Sequence, residues 1–406
     1  MNLLTKSFQV FRQKYSAVAI LWFLMAAVGA LLKIRLGHEA IGNYLIFKNA
    51  YWHAANRASL YFIYPAEHVG SYLYGPLFSI LIAPFAILSV NAGAFLWCIF
   101  NAAALFFAIR QLPINYKNQQ LILLLCMVEM MTCIENMQVN CLVAALIIFS
   151  FVFVQKGKDF YATFFIAAGF LLKLYGIVGI VFLLFSNNKL AFIFSFIFWI
   201  LVLFCLPMLI SSPIFVLHSY NEWYHTLVNK NSLNNDSVFQ NISVMGMLTH
   251  IFNIKNVNTL VLSIASLFYI IPLFRNKLYC NIKFKLSYLA FALIGVVIFS
   301  SSAESPTYII AMTGAALWFS IQEPKNWKVI TAIVFALCFT SLSATDFFPS
   351  FIRTDLIRPY SLKALPVFVI WLVLAYQLLI KKFVHQNGVA VDLVHPGQNR
   401  YDNSEI

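Results

Sequence analysis

The stretch "AAGFLLKLYGIVGIVFLLF", Ala167–Phe185, carries one charge, Lys173, in a run that is otherwise apolar apart from Tyr175. Extended back to Phe160, the run exceeds the ~20 residues that a helix needs to cross a bilayer core. The rest of the chain has the same character. Of its 406 residues 62% are hydrophobic and 10% charged, against about 25% charged in an ordinary soluble domain. Such a chain cannot cover itself with hydrated side chains, so the bilayer is its solvent. Its backbone must then satisfy its own hydrogen bonds in helices or in a closed barrel. The runs are continuous, whereas barrel strands alternate over ~10 residues. The expected fold is all-α, a polytopic helical membrane protein of about 12 transmembrane helices.

The candidate crossings lie between Tyr15 and Ile380, and Tyr72–Leu88, Gln119–Cys133 and Phe160–Phe185 are each read as one. Residues 1–382 form a single integral-membrane domain, and 383–406 a polar cytoplasmic tail expected to be disordered. The first run, Tyr15–Leu32, follows basic residues as a signal peptide does. It lacks a small-residue cleavage pattern and is long enough to stay as a span. The net charge of +13 is assigned to helix flanks meeting anionic headgroups, not to nucleic acid. Seven cysteines are scattered singly, without a CxxC pair or a Cys/His cluster. No disulfide framework, metal site or cofactor is therefore expected.

Short basic loops set the orientation. "FRNKLYCNIKFKL", Phe274–Leu286, the pair Lys381-Lys382, and Lys6, Arg12 and Lys14 are expected on the cytoplasmic side. With twelve crossings this leaves Lys33–Ser71, Ser211–Val257, Ser300–Thr307 and Ser343–Lys363 outside. The same count also puts Arg110, Lys117, Lys156 and Lys158 outside, against the rule.

Ionisable groups at membrane depth are the informative ones. Lys173 either snorkels or pairs with a distant helix, or it faces an internal polar cavity and holds an anionic group such as a phosphate. "CIENMQVN", Cys133–Asn140, is either a plain loop or brings Gln138 and Asn140 to that cavity as hydroxyl readers. Glu304, in "SSSAESPTY" (Ser300–Tyr308), is either a helix-start acid stabilised by the dipole or part of a site. In "GNYLIFKNAYWHAANRASLYFIYP", Gly42–Pro65, a helical wheel puts Asn49, His53 and Asn56 on one face beside Lys48 and Arg57. Phe47, Tyr51 and Ala54 line another face, with Tyr44 a turn earlier. An amphipathic helix in the outer interface is expected. Its hydrogen-bonding groups, beside Glu39 and Glu67, point to a site at the membrane surface.

The order of these motifs resembles the polyprenol-phosphate-sugar-dependent glycosyltransferases of the GT-C class, most closely glycosyltransferase family 87, which includes α-1,2-mannosyltransferases. The residues that carry the resemblance are Asn43-Tyr44, Tyr61, "YGPLFSILIAPFAIL" (Tyr74–Leu88), "LWCIFNAAALFFAI" (Leu96–Ile109), Gln138-Val139-Asn140, Lys173-Leu174-Tyr175 and Ser300–Tyr308. It extends to about Ser320. Two positions depart from the family pattern. Asn43 stands where the family has its catalytic aspartate, and Thr307 stands where its late motif has a histidine.

The resemblance implies transfer of a hexose or pentose, mannose-like favoured, from a polyprenyl-phosphate donor to a glycolipid or glycan acceptor at the outer face of the cell (inner) membrane. The leaving phosphate calls for a membrane-depth cation, Lys173 or alternatively Arg353 or Arg358. The acceptor hydroxyl calls for a carboxylate. An amide at Asn43 cannot take its proton, so Glu67 and Glu304 are the candidates, with Glu39 in reserve. Tyr44, Tyr61 and Tyr74 are suited to pack against sugar rings. Lys48, His53, Gln138, Asn140, Tyr175 and Tyr308 complete the expected substrate-binding set. No Asp-x-Asp pair occurs, so metal-independent inversion is expected. A lipid-linked sugar transporter or flippase, and a non-catalytic partner in glycan assembly, are the competing readings.

Overall fold

The computed structural model describes residues 7–10, 13–234, 237–254 and 257–383. The polar tail from residue 384 on lies outside these, as do Lys6 and Arg12. Apart from a two-stranded ribbon, Ser7–Val10 with Gln13–Ser16, the described chain is helical. In chain order the helices are α1 (Ala17–Arg35), α2 (Gly42–Asn56), α3 (Phe78–Ala86), α4 (Val90–Arg110), α5 (Tyr116–Glu135), α6 (Asn140–Gln155) and α7 (Asp159–Leu172). A 3-10 helix, Leu174–Phe185, follows. Then come α8 (Lys189–Cys205), α9 (Pro213–Asn234), α10 (Val244–Phe252), α11 (Asn258–Ile270), α12 (Ile282–Ile298), α13 (Tyr308–Ile321), α14 (Trp327–Phe335) and the C-terminal helix Leu365–Ile380. Among the described residues, four helices are long and apolar enough to cross a membrane: Ala17–Arg35, Val90–Arg110, Lys189–Leu209 and Leu362–Ile380.

One end of the bundle is defined by polar and basic side chains. Ser16 donates to Gln120 at 2.9 Å, Arg110 to Gln119 at 2.6 Å and Lys285 to Gln155 at 2.9 Å. Arg275 donates to the Leu378 carbonyl at 2.7 Å, and Lys283 pairs with Glu323 at 2.7 Å. Five of the helices that start here carry side-chain caps on their first free N–H groups: Ser16, Asn115, Asn188, Asn281 and Asn326, residue types that N-caps favour. This basic end gathers Arg110, Lys117, Lys156 and Lys158 with the Arg275–Lys285 loop. Their expected placement on the opposite side is therefore corrected.

Two readings of apolar runs caused that error. The first is Tyr72–Leu88. Its helix α3 has nine residues, ~14 Å at 1.5 Å per residue, under half of a ~30 Å hydrocarbon core. Both of its ends touch one turn of α2. Phe47 packs on Phe78 with ring centroids 4.8 Å apart, and Tyr44 donates to the Phe85 carbonyl at 2.9 Å. The segment thus returns the chain to the end it left.

The second is Phe160–Phe185, which is a hairpin and not one crossing. Ser186 donates to Asp159 at 2.8 Å, closing the open end. Near the tip, Gly176 lies so close to Gly169 that an added Cβ would run into the Gly169 backbone. Lys173, extended at φ −153 and ψ 126, sits at the turn. α2 forms over Gly42–Asn56, yet its buried side holds Tyr44, Phe47, Ala50, His53 and Ala54 together. His53 is thus on the packed face and not, as expected, on a polar one.

Candidate active site

At the end of the bundle opposite the basic loops, a cavity of about 440 Å³ is lined by Asn43, Tyr74, Gln138, Lys173, Tyr175 and Glu304, among others. The hairpin tip builds its floor. Lys173 reaches Asn140 with Nζ 2.8 Å from Oδ1, where α6 begins. Its ammonium lies 4.8 Å from the ring centroid of Tyr175 and 5.7 Å from that of Tyr74. Among the described residues no carboxylate lies within ion-pair distance of it; it touches a neutral amide oxygen and two ring faces, and the Glu304 carboxylate acts on it only through space. A cation held that way is open to an anion.

The tyrosines fix the walls. The Tyr74 hydroxyl donates to Gln138 Oε1 at 2.8 Å. Burial pushes its phenol well above the usual tyrosine range, so near neutral pH it is a donor and not a base. The backbone N–H of Gly75 donates to the Leu172 carbonyl at 3.2 Å. A Cβ at Gly75 would run into the Leu171 carbonyl oxygen. The Tyr-Gly-Pro turn therefore docks on the Lys173 turn only because position 75 is glycine. Across the cavity Tyr175 and Ser300 share a hydrogen bond of 2.7 Å, and Asn234 donates to Ser302 at 3.0 Å. Asn43 donates to the Asn136 carbonyl at 2.9 Å. Glu304 lines the same space with a carboxylate that makes no hydrogen bond or ion pair among the described residues.

The sequence from Tyr72 to Ser301 matches the model of glycosyltransferase family 87, which is more than half of the chain. The chain belongs to glycosyltransferase family 87. No curated protein matches it. The family implies a membrane glycosyltransferase, with a sugar donor and an acceptor. The match spans Tyr74, Gln138, Asn140, Lys173, Tyr175 and Ser300. It begins after Asn43 and ends before Glu304.

Other expected site residues lie elsewhere. Glu67 pairs with His53 at 2.9 Å, away from the cavity. Tyr64 stacks on the His53 ring at 4.0 Å. Lys48 donates to the Ala86 and Leu88 carbonyls at 2.5 and 2.8 Å, and burial lowers its pKa from the usual lysine value. It holds α3 against α2. The hydroxyls of Tyr44, Tyr61 and Tyr308 go to the carbonyls of Phe85, Tyr74 and Ile242, which makes them anchors of the surrounding backbone. Arg353 is taken by Asp346 at 2.8 Å. Glu39 is exposed on the turn before α2.

Sequence reasoning missed Trp223, Lys230, Asn234 and Gln240, which line the cavity from the Ser211–Val257 region. It also missed a buried ion pair, Lys363 with Glu129, at 2.9 Å and with side chains 5% and 0% exposed. Glu129 is the one acid in "LILLLCMVEMMTC", Leu121–Cys133. That is the same signal by which Lys173 was found. Lys363 also donates to Ser305 at 2.8 Å, next to Glu304.

Proposed function

We propose that this family 87 protein transfers a hexose or pentose, mannose-like favoured, from a polyprenyl-phosphate donor to a glycolipid or glycan acceptor at the outer face of the cell (inner) membrane. The carrying observation is Lys173, an ammonium with no carboxylate within ion-pair distance among the described residues, in a cavity at the end of the bundle away from the basic loops. Its role is to bind the donor phosphate and stabilise the charge that grows there as the bond to the sugar breaks. Gln138 and Asn140 orient hydroxyls, and Tyr74 and Tyr175 flank the sugar.

Glu304 is the proposed base. The acceptor oxygen attacks the anomeric carbon, its proton passes to Glu304, and the phosphate leaves with the bonding electron pair. A single displacement inverts the anomeric centre and uses no metal. Asn43, held by Asn136, orients the acceptor hydroxyl. Twelve segments of the GT-C-like bundle span the bilayer in this reading: α1, α4 to α8 with the 3-10 helix, α11 to α14, the last continued by the helical turn Ala336–Ser341, and the C-terminal helix. Arg110, Lys117, Lys156 and Lys158 then all face the cytoplasm, as the positive-inside rule favours.

The test offers purified protein several polyprenyl-phosphate sugars and identifies glycolipid products by mass. Glu304→Gln is expected to lower turnover by ~10²–10⁴, the range for a general base, while donor binding persists. Asn43→Ala should mainly weaken acceptor use. Normal turnover by Glu304→Gln would reject that base. Impermeant labelling of Ser59→Cys and Ser302→Cys in cells should modify both from outside; labelling of only one would reject a shared outer site.

A further inference from the structure

The Glu304 carboxylate makes no hydrogen bond or ion pair among the described residues, so its place is set by the backbone on either side of it. That backbone, residues 303–308, runs between two cavities. Glu304 and Thr307 line the smaller one, whereas Ser305 and Pro306 line a larger one of about 960 Å³. With space on two sides, packing alone does not fix the turn. Its ends are tied to one residue outside it. The Ile242 N–H donates to the Ala303 carbonyl at 2.9 Å, and the Tyr308 hydroxyl donates to the Ile242 carbonyl at 2.7 Å. Between those ends, among the described residues, one side-chain hydrogen bond comes from outside the segment. It is donated by Lys363 to the Ser305 hydroxyl at 2.8 Å. Lys363 is itself placed twice. Glu129 of α5 lies 2.9 Å from its ammonium, and its carbonyl accepts from Thr340 at 2.9 Å.

An ion pair is not needed merely to join buried helices, because an apolar pair of similar volume often serves as well or better. What an apolar pair cannot do is donate to Ser305. We infer that Lys363 is a positioning residue: oriented by Glu129, it holds Ser305 and so aims the neighbouring Glu304 carboxylate at the cavity of Lys173. The demand is geometric. A base must come within ~2.6–3.2 Å of the group whose proton it takes, and a misplacement of ~1 Å can cost ~10²-fold in rate. The larger cavity behind the turn leaves room for a shift of that size once the anchor is gone. Lys363 itself takes no part in the chemistry. Naming Glu304 the base rests on the transfer reading above; the anchoring of its turn does not.

The test uses the purified full-length protein in detergent. Ser305→Ala removes the acceptor and leaves the Glu129 pair intact. It should keep the melting temperature within about 2 °C of wild type and speed amide exchange at Thr307 and Tyr308 about tenfold or more. It should also lower kcat about tenfold or more, with donor KM within about twofold. Ser305→Thr, which keeps the hydroxyl, should regain most of both. Glu129→Leu joined with Lys363→Met should lose turnover and protection as Ser305→Ala does. On a Glu304→Gln background Ser305→Ala should cost nothing further, because its effect passes through Glu304. Normal turnover or unchanged exchange in Ser305→Ala would overturn the role, and so would a full additional loss on the Glu304→Gln background. If the wild type transfers no sugar from any polyprenyl-phosphate donor, the transfer reading falls by itself. Exchange then decides the anchor: faster in Ser305→Ala sustains it, and unchanged overturns it.

Discussion

Two lysines lie inside this bundle in different company. Lys363 has Glu129 at 2.9 Å, Ser305 at 2.8 Å and the ring of Tyr308 with its centroid 5.1 Å away. Its charge is cancelled and its geometry filled. Lys173 has an amide oxygen at 2.8 Å and two aromatic faces, and it lines a cavity. The cost of taking an ammonium out of water is offset in the first case by a carboxylate. In the second it is offset only in part, by the more distant Glu304 carboxylate, and is open to an anion that enters. The same residue type is thus a structural strut in one place and, in the proposed reading, a binding group in the other. The partner decides which.

The largest effect that tests this contrast is on stability. Lys363→Met strands a buried carboxylate and should cost ~3–5 kcal/mol, as breaking one partner of a buried pair does. Thermal unfolding in detergent would read it. Joining it with Glu129→Leu removes both charges and should restore most of the loss. If the double variant is as unstable as the single one, the pair is not what holds these helices together.

Lys173→Met should behave in the opposite way, with the fold kept and transfer lowered by at least ~10², the size of losing one charge-stabilising group. A destabilised but fully active variant would exchange the roles of the two lysines. A smaller effect is expected at Asn140, which holds the ammonium in place. Asn140→Ala should lower donor affinity about tenfold, near the ~1.5–3 kcal/mol of a hydrogen bond to a charged group, and leave stability within 1 kcal/mol or so. The smallest effect belongs to Glu67→Gln. Its carboxylate is engaged with His53 outside the cavity, so turnover should stay within about twofold, as for surface changes away from special features. A large loss there would move the base from Glu304 to Glu67.

Much of the site was legible because an ionisable or amide side chain in an apolar run is conspicuous whatever surrounds it. Lys173, Gln138, Asn140 and Glu304 were found that way, and the structure puts Lys173, Gln138 and Glu304 on the lining of one cavity with Asn140 hydrogen-bonded to Lys173. Glu129 gave the same signal. Its partner, more than two hundred residues away, had no mark in the sequence that paired the two. Tyr44, Tyr61 and Tyr308 show the converse. A tyrosine suits a sugar ring or a backbone carbonyl equally well, and only the position of a carbonyl within hydrogen-bond reach settles which.

The sequence by itself determined the solvent and the secondary structure. With 10% charged residues and continuous apolar runs, helices in a bilayer follow from backbone hydrogen bonding alone. It marked Lys173 as the odd charge in its run, but the membrane depth expected from that run is corrected, because the hairpin puts Lys173 at a turn at the cavity end of the bundle. The direction of the chain at each run was left to the tertiary structure. A run such as Phe160–Phe185 has the hydrophobicity of one crossing or of two short legs. The choice lies in close approaches, Gly176 against Gly169 and Gly75 against Leu171, which only packing creates. Those approaches bring the Lys173 turn to the cavity and carry the basic residues to the other end.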